Sequence, residues 1–233
     1  MNLTINTSFD VLVGRDFQQL VALENGRLLH SEVLGAFADL KKVAHKQGFD
    51  LAIASSHRDY DRQLLIWQEK VAGTRQVLDE NEKVLNVATL GNEELLKKIL
   101  YWSALPGTSR HHWGTDIDVF DANSFQGDAK LQLTVAECCA GGPLADFHCW
   151  LDGLLASKRN CGFFRPYATD SGGVAQEPWH LSYAPVADRL AEKFTFAVFE
   201  RLLAEKKWPL YDVIELHAED IFQRYVKLND CSQ

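Results

Sequence analysis

A chain of 233 residues, 46% apolar and 24% charged, has the length to bury roughly 70% of its unfolded surface, so it needs neither disulfides nor a structural metal to fold. Its net charge of −8 argues against a non-specific nucleic-acid binder or an anionic-membrane binder, both of which need a basic face. The first twenty residues lack a basic start followed by an apolar core and a small-residue cleavage site, and no run of apolar residues is long enough to span a bilayer. The chain therefore reads as cytosolic, unless it is a mature or truncated form, for which a periplasmic or cell-wall location is expected.

No repeat, low-complexity tract or linker divides the sequence, and one domain over residues 1–233 is expected. From Leu28 to Lys46 the apolar residues Leu29, Val33, Leu34, Phe37, Leu40 and Val43 recur at spacings of three and four, which predicts an amphipathic helix closed by Gly48. Leu51 to Ser55 reads as a short buried strand, and Asp59 to Val71 and Asn92 to Trp102 as helices. Thr115 to Phe120 alternates polar and apolar, the pattern of a half-buried strand. Leu144 to Leu155 is again an amphipathic helix, and Cys161 to Tyr167 and Trp179 to Tyr183 are strand candidates. Residues 186–226 read as largely helical, with a break at Trp208-Pro209. Short strands among unequal helices point to an α+β fold. The cysteines Cys138, Cys139, Cys149 and Cys161 crowd together without a C-x-x-C pair, so reduced, partly buried thiols are expected.

Three segments carry polar residues that packing alone does not ask for. In Ser109-Arg110-His111-His112-Trp113-Gly114-Thr115-Asp116-Ile117-Asp118 a turn with two histidines runs into a strand whose two aspartates share one face. Taken alone, that pattern suits half of a divalent-metal site and a solvated strand face equally well. In Glu177-Pro178-Trp179-His180 the proline holds an extended segment, and this alone reads best as a loop glutamate beside a packed histidine. In the segment from Ser55 to Gln63, Arg58 stands where a strand passes into a helix and suits either a substrate carboxylate or carbonyl or an ion pair with Asp59 or Asp61. Together the three fit one chemistry. Two imidazoles and a carboxylate leave a fourth position of tetrahedral zinc open for water. Zinc acidifies that water to a pKa of about 7, an unligated glutamate relays the proton, and an arginine neutralises the developing oxyanion. The chain contains no G-x-S-x-G, H-E-x-x-H, P-loop or dinucleotide fingerprint to compete with this site.

The order S-x-H-x-x-G-x-x-x-D (Ser109, His111, Gly114, Asp118) followed by E-x-W-H (Glu177, Trp179, His180), with an upstream S-x-x-R-x-Y-x-x-Q (Ser55, Arg58, Tyr60, Gln63), resembles the zinc D-alanyl-D-alanine carboxypeptidases. These include the vancomycin-resistance carboxypeptidases and dipeptidases, within a wider group that holds lysostaphin-type peptidases and the Hedgehog signalling domain. The resemblance spans roughly Leu28 to Tyr183, and a motif-bearing core of about 28–185 is expected with a helical extension over 186–233. It implies a small antiparallel sheet flanked by helices and one zinc ion per chain held by His111, Asp118 and His180. Glu177 becomes the general base and Arg58 the transition-state cation, while Ser109, Tyr60 and Gln63 hold the substrate's terminal residue. The implied substrate is a peptidoglycan stem peptide, a muropeptide or a free D-Ala-D-Ala dipeptide. An L,D-carboxypeptidase or D,D-dipeptidase is the alternative within the family. A metal-stabilised binding module without catalysis is the alternative outside it, disfavoured because Glu177 and Arg58 are both present.

Two positions depart from the motif. Asp116 stands where a small residue is usual and is expected at the substrate site; it would alter the site's charge, bind a substrate amine or orient His112. His57 stands where tyrosine is common, and His112 is expected to point away from the metal. The stretch from Glu69 to Ala104 reads as a surface excursion, with a lid as the other option, and the helical tail as a cap or a dimer contact.

Overall fold

The computed structural model describes residues 7–125, 130–157, 159–170 and 172–227. A single helical turn, α1 (Phe9–Leu12), precedes a hairpin of β1 (Leu20–Ala22) and β2 (Leu28–His30), and α2 (Val33–His45) follows. The helix expected from Leu28 thus begins at Val33. Its first apolar residues are drawn into a strand in which Leu20 pairs with His30, and Leu29 is fully buried. Next come β3 (Leu51–Ser55) and α3 (Tyr60–Val71), whose N-cap Asp59 accepts the Arg62 N–H at 2.6 Å. Then come α4 (Asn92–Trp102), a 3-10 turn at Arg110–Trp113 and β4 (Asp116–Asp121). After α5 (Val135–Cys138) and α6 (Ala145–Leu155), the strand expected from Cys161 shrinks to β5 (Phe163–Phe164), because Pro166 cannot donate to a ladder. The chain then runs through β6 (His180–Tyr183), α7 (Ala184–Lys193), α8 (Phe196–Leu203), α9 (Tyr211–Leu216) and α10 (Ala218–Ile221), and Phe222–Val226 continue as a π turn.

The main sheet is antiparallel in the order β3-β4-β6-β5. Asp118 lies opposite Ser55 on one side and His180 on the other, and Asp116 lies opposite Ser182. Residues directly opposite in an antiparallel pair share a face. One face therefore carries Asp116, Asp118, His180 and Ser182, and the other carries Ile117, Val119 and Leu181. The apolar face packs on α2 and α6 through Val33, Phe37, Leu40, Phe147 and Leu151. Each of Ile117, Val119 and Leu181 is fully buried, worth roughly 1.5–3 kcal/mol apiece relative to exposure.

Of the two readings of the polar face of β4, the solvated face is not what the structure has, since Asp116 and Asp118 are 0% and 6% exposed. A second apolar cluster joins α3 and α4 to the helices beyond Pro185. The Trp67 indole donates to the Pro209 carbonyl at 3.1 Å, and the Trp208 indole donates to the Tyr60 hydroxyl at 3.0 Å. Residues 186–227 thus pack on the helices that carry the arginine element. Cys138, Cys139, Cys149 and Cys161 are free thiols, with Cys138 buried and Cys139 and Cys149 exposed. Among the described residues no helix is long and apolar enough to cross a membrane.

Candidate active site and metal centre

The polar face of β4 and β6 is completed by the turn before β4 and the loop after β3. Gly114 ends that turn at φ 66°, where an added Cβ would lie 2.5 Å from Leu20 Cδ2 and 2.9 Å from the His30 nitrogen. Its carbonyl accepts the His30 N–H at 2.9 Å, which pins the turn to the β1–β2 hairpin. The His111 carbonyl accepts the Arg58 N–H at 3.1 Å, so the histidine turn and the arginine loop are joined through their backbones.

These constraints bring one ligand atom each from His111, Asp118 and His180 within 4.8 Å of one another. His111 Nε2 lies 3.4 Å from Asp118 Oδ2, and His180 Nδ1 lies 3.3 Å from Asp118 Oδ1. All three residues are buried, and Asp118 Oδ1 has no hydrogen-bond donor among the described residues. Burial opposes ionisation of Asp118, yet the neighbouring His111, His180 and Arg58 hold its carboxyl below the usual range. An orphaned carboxylate oxygen between two imidazoles is the environment a divalent cation satisfies.

Glu177 reaches His180 Nδ1 at 3.1 Å, and its backbone N–H is held by the Tyr167 carbonyl at 3.0 Å. The other nitrogen, His180 Nε2, faces Asp116 Oδ2 at 2.9 Å. Burial alone would lower the His180 pKa, but its hydrogen bonds to Asp116 and Glu177 prevail and push it up to about 10. With a carboxylate facing each nitrogen, a cation at Nδ1 competes with a proton for that position.

The family profile described as VanY, D-alanyl-D-alanine carboxypeptidase, matches residues 26–186, well over half of the chain. The chain belongs to this family. A D-alanyl-D-alanine carboxypeptidase of Enterococcus faecalis is 26% identical over 171 residues, 72% of this chain and 53% of that protein. The chain thus spans about half the length of that relative. An uncharacterized protein of Haemophilus influenzae is 38% identical over 100 residues, 41% of this chain and 68% of that protein. In fold, the chain resembles VanYB, solved in complex with D-Alanine-D-Alanine, with a TM-score of 0.52 at 21% identity over 84% of this chain and 87% of that chain. The α+β architecture of a small antiparallel sheet flanked by helices is thereby that of VanY-type peptidases.

In this VanY-family chain the residues picked out by motif divide into two groups. Arg58 donates to Gln63 Oε1 at 2.8 Å and lies 3.5 Å from Ser55 Oγ, but no carboxylate lies within ion-pair distance of it among the described residues. Burial lowers its pKa, while the charges of Asp118 and Glu177 act against that. Ser109 is buried and its hydroxyl makes no cap hydrogen bond. Arg58 and Ser109 thus keep donors to spare.

Tyr60, Gln63 and Asp116 are engaged elsewhere in the fold. Tyr60 packs in the helical cluster, its hydroxyl oxygen accepting the Trp208 indole N–H and its ring covered by Arg15 at 4.1 Å. Gln63 is fully buried, accepting from Arg58 and donating to the Ala104 carbonyl at 2.7 Å, so it acts through Arg58. Asp116 is fully buried and engaged by Arg110, Thr115, His180 and Ser182. It has no face for a substrate amine and does not touch His112. Burial favours its neutral form, but Arg110 and His180 overcome this and hold the carboxyl well below the carboxylate range. His112 does point away from the metal site: Nδ1 meets the Arg58 carbonyl at 2.6 Å and Nε2 accepts the Gly107 N–H at 3.0 Å. His57 packs edge-on against Phe17, with ring centroids 5.3 Å apart.

Ser182 and Tyr167, which contact Asp116 and His180, escaped the sequence reading, and so did Lys70, which feels the charges of Arg58 and Glu177. Ser182 lies two positions after His180, a spacing that strand alternation alone would have flagged. Lys70 follows Gln63 by seven residues on α3, hence on the same helical face. Burial, with Arg75 and Arg58 nearby, brings its ammonium down to about 8. Tyr167 stands edge-on to His180 with ring centroids 5.0 Å apart, a contact no spacing rule signals.

Proposed function

We propose that the chain is a zinc-dependent carboxypeptidase that removes the terminal D-alanine from peptidoglycan stem peptides or muropeptides. The observation that carries this reading is the convergence of His111, Asp118 and His180 with Glu177 on the same imidazole and with Arg58 left without an ion pair among the described residues. His111 Nε2, Asp118 and His180 Nδ1 would hold one zinc ion, a donor set that leaves a position open, as catalytic rather than structural sites do. The chemistry zinc supplies when bound is Lewis acidity toward water and the scissile carbonyl.

The chain's own groups do the rest. Glu177 has the reach to take a proton from the attacking water and to return it to the leaving amine of D-alanine. Arg58, steadied by Gln63 and by its backbone bond to His111, faces the negative charge that grows on the carbonyl oxygen. The spare Ser109 hydroxyl and the Lys70 ammonium suit the terminal carboxylate of the substrate.

The test combines elemental analysis of the purified protein with mass-resolved products from peptides ending in D-Ala-D-Ala, L-Lys-D-Ala and meso-diaminopimelate-D-Ala. About one zinc per chain and release of one D-alanine from the D-Ala-D-Ala peptides are expected. Glu177→Gln should keep the metal and lose roughly 10²–10⁴-fold in kcat. Full activity in that variant removes Glu177 from the mechanism, and a wild-type protein that takes up no zinc removes the metal.

A further inference from the structure

Behind the three proposed ligands lies a second buried shell that the catalytic reading does not use. Asp116 Oδ2 lies 2.9 Å from His180 Nε2 and 2.8 Å from Arg110 Nε. Asp116 Oδ1 accepts the Ser182 hydroxyl at 2.8 Å and the Thr115 hydroxyl at 2.7 Å. Arg110 also donates to Ser182 Oγ at 2.6 Å, and its guanidinium lies 5.1 Å from the Trp113 ring and 5.8 Å from the Phe164 ring. Asp116, Thr115 and Ser182 are 0% exposed and Arg110 is 5% exposed, so water does not compete for any of these bonds.

Four donors on one carboxylate use the acceptor capacity it has. Because an ionised carboxylate only accepts, the His180 nitrogen facing Asp116 must carry a proton. That assigns Nε2–H to Asp116 and leaves Nδ1 for whatever lies between Asp118 and Glu177. The register of the sheet enforces the same choice, since Asp116 pairs with Ser182 and Asp118 with His180. Arg110 cancels the charge of Asp116, so the shell orients the ligand without adding net charge beneath the site.

We propose that Asp116 is a positioning residue that fixes the tautomer and ring orientation of His180, so that Nδ1 is presented to the metal, with Arg110 as its dedicated counter-ion. This rests on the metal-site reading above. Outer partners of this kind typically change metal affinity 10–100-fold when removed.

The test measures zinc affinity by competition with a chromogenic chelator on metal-stripped, reloaded protein, alongside thermal unfolding of the metal-free form. Asp116→Asn should fold and bind zinc roughly 10–100-fold more weakly than wild type. Should the stranded Arg110 unfold that variant, the double variant Asp116→Asn/Arg110→Met removes the buried charge pair as a unit. In the double variant the metal-free melting temperature should return toward wild type while zinc affinity stays low, a split that a purely structural ion pair would not produce. Zinc affinity within about threefold of wild type in either folded variant overturns the role of Asp116, since the loss expected for such a partner is at least tenfold. Absence of zinc binding in wild type itself, unchanged in His111→Ala, overturns the metal site instead, and the two failures are told apart before any Asp116 variant is read.

Discussion

His112 and His180 are both buried, yet their protonation runs in opposite directions. His180 has a carboxylate at each nitrogen, whereas His112 accepts the Gly107 N–H at Nε2 and meets the Arg58 carbonyl at Nδ1. Burial therefore pushes His112 down to about 3, and a proton arriving at Nε2 would cost it the Gly107 bond. The native value lies below the unfolded value of about 6.5, so between those limits the unfolded chain binds a proton that the native chain does not. Stability is retained above pH 6.5 and falls as pH drops toward 3, with His112 contributing about 1.4 kcal/mol per pH unit over that window. Urea unfolding of the metal-free protein at pH 6, 5 and 4.5 should show a steeper slope, because burial lowers the pKa of His57 and His148 as well, and His112→Gln should flatten it by about 1.4 kcal/mol per pH unit. Parallel slopes for the two proteins would mean that His112 titrates normally in the native state. Because His112 grips the Arg58 backbone, the same imidazole also sets where the proposed oxyanion partner stands.

At the scale of elements, the site depends on how closely the histidine turn approaches the β1–β2 hairpin. Gly114 allows that approach twice over, through its left-handed φ of 66° and through the missing Cβ. Gly114→Ala should cost about 2–4 kcal/mol, combining left-handed strain with overpacking against Leu20 and the His30 backbone. That corresponds to a fall of roughly 5–15 °C in Tm for a chain of this size. Gly26 has a similar φ of 77° with nothing within 4 Å of an added Cβ, so Gly26→Ala should lose only the backbone part. Equal Tm losses in the two variants, followed calorimetrically, would show that the close approach at Gly114 contributes nothing.

Across the whole molecule, the arginine element hangs on helices that the C-terminal segment covers, while the ligand strands rest on α2 and α6. The proposed metal joins the two halves, because His111 lies on the turn that holds Arg58 and His180 lies on β6. A ligand bound only to the native state stabilises by RT ln(1 + [L]/Kd), about 4 kcal/mol at a thousandfold excess over Kd. Zinc at that excess should therefore raise the Tm of the stripped protein by roughly 8–16 °C. His111→Ala should show little of this rise, and a wild-type Tm indifferent to zinc would exclude preferential binding to the folded chain.

The sequence by itself determined the helices α3 and α4, the strands β3, β4 and β6 to within a residue or two, and the family. Each of these rests on local period, capping or ordered motif spacing, which the chain carries whatever surrounds it. The hairpin strand at Leu28–His30 was not legible, because the same apolar residues satisfy a helical period and only the partner strand at Leu20–Ala22 decides between them. The faces of Asp116 and Asp118 were legible from alternation, but their separate surroundings were not. Register alone sets Asp118 beside His180 and Asp116 beside Ser182, and the fold then delivers Arg110 to one carboxylate and leaves an oxygen of the other without a donor among the described residues. Tyr60 and Gln63 show the same division: their motif spacing is local, but which way they turn depends on Trp208 and Ala104, far along the chain. Tertiary structure decided those roles because a hydrogen-bond partner distant in sequence leaves no periodic trace near the residue it occupies.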